Sequence, residues 1–112
     1  MARYARRRPA RLAEKLLQIR NALELSQDGM LKRLGLEDRG FRSSVSSYEL
    51  GNSEPELITL LTYARLVEVS VDVLIDDELN LPRAVRAAAK TVANRRSVAK
   101  RQTSAGTSSR RR

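Results

Sequence analysis

Residues 25–55 read LSQDGMLKRLGLEDRGFRSSVSSYELGNSEP, and two short helices can be read from them. Ser26 is a good N-cap, because its hydroxyl can accept from a backbone N–H left orphaned at a helix start. Asp28 then falls in the first turn, where the helix dipole favours an acid. Leu25 before the cap and Met30 after it form a hydrophobic staple. Gly35 closes this helix after two turns. Further on, Val45 and Tyr48 lie three apart and point inward, so Ser44, Ser47 and Arg42 or Ser43 face out. Gly51 is the expected stop, and Pro55 stands where a following helix begins. The second helix therefore carries four serines, Ser43, Ser44, Ser46 and Ser47, where longer polar side chains are common. Its start has two readings: Asp38 caps a longer helix, or Ser43 caps a shorter one.

Upstream, Leu12, Leu16, Ile19 and Leu23 recur at spacings of four, three and four, which predicts an amphipathic helix over roughly 10–23. Downstream, LITLLTYARLVEV offers Leu57, Leu60, Leu61, Ala64 and Val67 or Leu66 as a wide apolar face on a helix over about 56–67. The run VEVSVDVLI alternates like a strand. A turn and helix fit it better, because Ser70 and Asp72 stand where capping chemistry wants them, with Val69 and Leu74 as a second staple. DDELNLP ends that helix. The fold class is therefore all-α, five short helices with a core of Leu, Val and Ile.

Charge divides the chain. Residues 1–11 carry five Arg and no acid, and residues 83–112 carry ten basic residues and no acid. The stretch 12–82 holds seven basic and thirteen acidic residues, so the basic character behind the overall +9 lies in two arms around an acidic body. Blocks of one sign stay solvated and often bind polyanions. The expected organisation is a basic arm over 1–10, a folded domain over 11–82 and a basic Ala/Ser-rich tail over 83–112. After Pro82 the tail is Ala-rich, and Val85 and Val92, seven apart, suit a basic helix; RQTSAGTSSRRR beyond it is low in complexity and expected to be disordered.

Cys and His are both absent from the sequence. This excludes disulfides, thiol chemistry, zinc sites built on those ligands and His-based acid–base catalysis. No catalytic spacing stands out, and no enzyme activity, metal or cofactor is expected. No apolar run is long enough to span a bilayer, and the Arg-rich start lacks the apolar segment of a secretory signal. A cytoplasmic, nucleoid-associated setting fits.

A two-turn helix, a glycine-bearing turn and a second short helix make the helix-turn-helix plan. Several motifs sharpen it: LSQ opening the first of these helices, LG at its end, S-x-Y-E-x-G-x-x-x-P around the second, and L-L-x-x-A-R-x-x-x-V-S-V-D-x-L afterwards. In this order and spacing, over about residues 11–82, the chain resembles the lambda-repressor-like Xre/Cro family of bacterial and phage regulators. The resemblance implies a compact five-helix domain that binds double-stranded DNA, usually as a homodimer, with its third helix in the major groove. By position it implies base contacts from Arg42, Ser43, Ser47 and Ser44, and backbone contacts from Gln27, Asn52, Arg39 and Ser46. Glu49 and Gly51 match structural positions of the family. Gln27 opens its helix, where backbone donors already face anions. In the arm, Arg3, Arg6, Arg7 and Arg8 are candidates for phosphate or minor-groove contacts.

The chain departs from the family in two places. Leu31 stands where Ala is common, and the turn from Gly35 to Val45 is longer than usual, with EDRG as the insertion. Serine reads base edges with low specificity, whereas Arg42 can make a bidentate contact to guanine. The expected function is a sequence-specific DNA-binding transcriptional regulator, a repressor. The alternative is a protein-binding adaptor or antitoxin-type protein, for which the acidic body and Phe41 in the long turn speak. The last helix and DDELNLP are candidate dimer surfaces.

Overall fold

The computed structural model describes residues 7–37, 43–92 and 94–95. Among the described residues all regular structure is helical. The helices are α1 (Leu12–Ala22), α2 (Gln27–Arg33), α3 (Ser44–Glu49), α4 (Leu57–Leu66) and α5 (Val71–Ile75), and residues 83–92 form α6. The run with strand-like alternation is thus a turn followed by α5. Ser70 is its N-cap residue, but the hydroxyl bonds the Asp72 carboxylate and not a backbone N–H.

The first four helices end in the same way. At α2 the Gly35 N–H donates to the Lys32 carbonyl and the Leu36 N–H to the Leu31 carbonyl. At α3 the Gly51 N–H reaches the Tyr48 carbonyl and the Asn52 N–H the Ser47 carbonyl. These are Schellman closures, which satisfy the last free carbonyls and need one residue in the left-handed region. Gly35 and Gly51 supply it at φ 73° and 79°. In α1 and α4 the same role falls to Glu24 and Glu68, at φ 59° and 60°. No glycine marks those two ends in the sequence.

α1 lies at the centre, packed against α3 and α5, while α2 packs on α3 and α4 on α5. The Leu12–Leu16–Ile19 stripe of α1 is buried with Met30, Leu31, Val45 and Tyr48 from α2 and α3, and with Leu60, Tyr63 and Leu74 from α4 and α5. Leu31, a bulky residue at the α2–α3 junction, is accommodated inside this core. The expected face of α4 needs correction. Leu57 is exposed, and Thr59 and Tyr63 take interior positions instead. Both carry a hydroxyl, so a pattern drawn through aliphatic residues favoured Leu57.

Two tertiary contacts complete α1. Its N-cap residue Arg11 makes no side-chain cap. Asp77 serves from a distance, accepting from the Ala10 N–H at 2.9 Å and the Arg11 N–H at 3.0 Å. The Arg11 guanidinium returns to the Asp77 carbonyl at 2.9 Å and the Asn80 side chain at 2.7 Å. DDELNLP is therefore the cap of α1 as well as the end of α5. Those two N–H donors, foremost that of Ala10, hold the Asp77 carboxyl below its ordinary pKa of 3.8. A depressed carboxylate pKa adds stability that is complete above the ordinary value and lost as pH falls through the folded one. Asp77→Asn is expected to flatten that part of the acid limb of stability below pH 3.8, measured by chemical denaturation at stepped pH. An acid limb unchanged from the parent would show that the cap does not titrate.

Tyr63 is fully buried, and its hydroxyl has no hydrogen-bond partner among the described residues. Burial, with the nearby Glu49 charge, pushes its pKa up. An unpaired buried hydroxyl costs its desolvation without return. Tyr63→Phe is expected to leave stability unchanged or raise it by up to about 1 kcal/mol, read from the urea midpoint. A clear loss would mean that the hydroxyl is satisfied.

α6 occupies the start of the basic tail, where Val85 and Val92 suited a helix. Val85 packs against the core, and Ala89 and Val92 are buried four and seven positions later. That helical stripe is the one hinted at by Val85 and Val92. Residues 96–112 of the tail lie outside the described residues.

Candidate nucleic-acid interface

The α2–α3 pair begins with the expected cap. The Ser26 hydroxyl accepts from the Gly29 N–H at 2.9 Å. Leu25 packs against the core that contains Met30, as a staple requires. Gly35 and Leu36 close α2. α3 starts at Ser44, the shorter of the two readings, with Ser43 in the N-cap position but without a side-chain cap bond.

What holds this pair in register is a charged junction. The Arg20 Nε donates to Glu49 Oε2 at 2.6 Å and Nη2 to Oε1 at 3.0 Å, a two-pronged contact between α1 and the end of α3. Arg20 Nη1 also reaches the Leu25 carbonyl at 3.0 Å, just ahead of α2. Glu49 Oε1 accepts a third bond, from Gln27 Nε2 at 3.1 Å. One carboxylate thus ties α1, the first residue of α2 and the last residue of α3. Planar guanidinium–carboxylate pairing fixes direction as well as distance. Gln27 is thereby held by one amide hydrogen, leaving its second amide hydrogen and its carbonyl oxygen toward solvent.

The serines divide by burial. Ser43 is exposed, and Ser44, Ser46 and Ser47 are half-buried. The Ser47 hydroxyl accepts from Ser53 at 3.0 Å, and the Ser47 carbonyl accepts from the Asn52 N–H at 2.9 Å. The loop after α3 is therefore folded back onto it, with the Asn52 side chain exposed. The structure brings Gln27, Ser47 and Asn52 around the C-terminal half of α3, and leaves Ser43 at its other end. Arg42 and Arg39, expected as contacts, lie outside the described residues, as does Phe41. In the arm, Arg3 and Arg6 also lie outside them. Arg7 is exposed, and Arg8 Nε pairs with Glu54 at 3.1 Å.

Sequence reading missed Arg20 and Lys15. Lys15 is fully buried, and its ammonium donates to the Val73 and Asp76 carbonyls, both at 2.9 Å. These are orphan acceptors at the end of α5. Burial, and next the Arg11 charge, lower the Lys15 pKa. A signal existed, since Lys15 falls three after Leu12 and four before Ile19, on the apolar stripe itself. Arg20 is adjacent to that stripe but carries no such mark. Among the described residues no group of acids could hold a metal ion, and no helix is long and apolar enough to cross a membrane.

These elements make up an all-helical domain in which a short helix, a glycine turn and a second short helix are locked to a central helix. Over 68 residues the chain is 34% identical to the uncharacterized HTH-type transcriptional regulator YqaE of Bacillus subtilis (strain 168), which takes in 61% of this chain and 55% of YqaE. The chain thus spans little more than half the length of this relative. No family model matches it, and no solved structure matches it.

Proposed function

We propose that the chain is a sequence-specific double-stranded DNA-binding transcriptional regulator of the Xre/Cro kind, acting as a repressor in the cytoplasm. α3 lies in the major groove and α2 lies across the backbone. The observation that carries this reading is the Glu49 junction. A reading helix must be held at a set angle to its supporting helix, and one buried carboxylate does that here. The likeness to an HTH-type transcriptional regulator supports it.

In this reading Ser43, Ser44 and Ser47 face base edges, with Arg42 as the one strong guanine contact. Small side chains bring the helix backbone close to the bases, where waters complete the contacts. Gln27, Ser46, Asn52 and Arg39 hold phosphates. The N-terminal arginines Arg3, Arg6, Arg7 and Arg8 offset the acidic body, and a second copy of the chain binds the second half-site.

The test is selection of the full chain on a randomised duplex pool at near-physiological salt. A palindrome with half-sites about one helical turn apart is expected. Ser43→Ala should relax preference at one or two positions. Gln27→Ala should weaken all sites about equally and leave preference intact, as loss of a phosphate contact does. Binding to any duplex with a steep salt dependence, and no enriched sequence, would assign the affinity to the arms and sink this reading.

A further inference from the structure

Beside α4 and α5 runs a groove of about 1110 Å³ whose lining includes no residue of α2 or α3. Its floor is apolar, with Leu12 and Leu60 buried beneath and Leu57 and Ile75 open to solvent. Leu57 is 81% exposed, its neighbour Ile58 72% and Ile75 44%. Ile58 is not part of the groove's lining. Single exposed aliphatic residues need no explanation, but Leu57 and Ile75 together over a buried apolar floor mark an interaction surface.

Charge says what covers it. Six carboxylates line the groove against two arginines, Arg7 and Arg8. Glu54 is paired with Arg8, and Asp77 is used by the start of α1. Glu56 and Glu78 have no ion-pair partner among the described residues. A second copy would set the same acidic rim against itself. The chain's own basic ends complement the charge but not the floor. Residues 1–6 and 96–112 offer only Met1, Tyr4 and Val98 as larger apolar side chains. An occupant that satisfies both needs aliphatic residues on one stripe and lysines or arginines on the other.

We propose that this groove is a docking site for a cationic amphipathic helix of a partner protein, with Leu57 and Ile75 receiving its apolar stripe and Glu56 and Glu78 its basic flank. This goes beyond DNA binding: Leu57, Ile75, Glu56 and Glu78 are not among the proposed DNA contacts, although Arg7 and Arg8 of the arm also line the groove. Helices in grooves are read in this way, through anchors three and four apart. Charge at the rim sets encounter rate and partner choice, and the buried anchors set dissociation.

The experiment uses the full chain and three fluorescent peptides of equal length at near-physiological salt. One is a Leu/Lys amphipathic helix, one a Leu/Glu helix of the same pattern, and one a Ser/Lys peptide with the same charge. The Leu/Lys helix alone is expected to bind. Leu57→Ser and Ile75→Ser should each weaken it about tenfold or more, and the double change Glu56→Lys, Glu78→Lys should do so with unchanged helicity. Sequence preference in the duplex selection should be unaltered in all of them, which separates this proposal from the DNA reading. Three outcomes overturn it. Equal binding of the Ser/Lys peptide would mean simple charge attraction. No effect of either aliphatic change would place the peptide elsewhere. Self-association by sedimentation, abolished by Leu57→Ser, would make a second copy the occupant.

Discussion

Glu49→Ala is expected to destabilise the domain by about 3–5 kcal/mol, the range for removing one partner of a buried ion pair. The two side chains are 12% and 5% exposed for Arg20 and Glu49. With the carboxylate gone, the guanidinium stays largely out of water, with only the Leu25 carbonyl to accept from it. Whole domains of this size have stabilities of roughly 5–15 kcal/mol, so such a loss removes much of the margin. Glu49→Gln keeps one acceptor and the shape, and should cost less. Replacing both partners, Arg20→Met with Glu49→Leu, should recover most of the loss, because the penalty is the stranded charge and not the absent bond. Urea midpoints at constant slope measure all three. A cost below about 1 kcal/mol for Glu49→Ala would mean a solvated pair of surface type. The proposed function adds a second readout, since Gln27 also loses its anchor.

Lys15→Ala is expected to cost about 4 kcal/mol, through two separable losses. The buried four-carbon stem leaves a cavity, as large-to-small changes in cores do. The carbonyls of Val73 and Asp76 lose a charged donor, and bonds to charged groups contribute about 1.5–3 kcal/mol each. Lys15→Met keeps the stem and removes only the donor, so it should cost about half as much. Equal losses in the two variants would show that packing contributes nothing. pH gives an independent check. Burial lowers the Lys15 pKa from its ordinary 10.5, so the unfolded chain holds the proton more tightly than the folded one. Between the lowered value and 10.5, stability therefore rises with pH on account of this group. Lys15→Met should lack that rise.

Much of the architecture follows from local chemistry. The Ser26 cap, the two glycine stops and the inward pair Val45 and Tyr48 are all set by residues within four positions of one another. Such signals survive in a sequence because the groups that satisfy a helix end are its own neighbours. The stripe on α1 is legible for the same reason. α5 is a helix as Ser70 and Asp72 suggested, although the Ser70 hydroxyl bonds the Asp72 carboxylate and caps no backbone N–H. Where one residue type did not carry the information, the reading drifted. Glu24 and Glu68 close helices in a conformation that glycine usually announces. Leu57 looked interior by composition and lies at the surface, because Thr59 and Tyr63 occupy the buried side of α4.

The candidate site was legible as a list of positions but not as an assembly. Gln27, Ser43, Ser47 and Asn52 are positions that the family resemblance implies. That Glu49 binds Arg20 and Gln27 together was not legible, since 29 positions separate it from the one and 22 from the other. By itself the sequence determined the helical class, the Ser26 cap and the glycine turns, the α2–α3 plan and the division of charge between basic ends and acidic body. Each depends on neighbours along the chain or on composition. The tertiary structure alone decided that Asp77 starts the first helix, that Lys15 ends the fifth, that Glu49 joins three helices, and that Leu57 and Ile75 share an acid-rimmed groove. Each of these is a pairing between distant residues, chosen by how the helices pack, and helix packing is set by the shapes of whole faces and not by any short stretch.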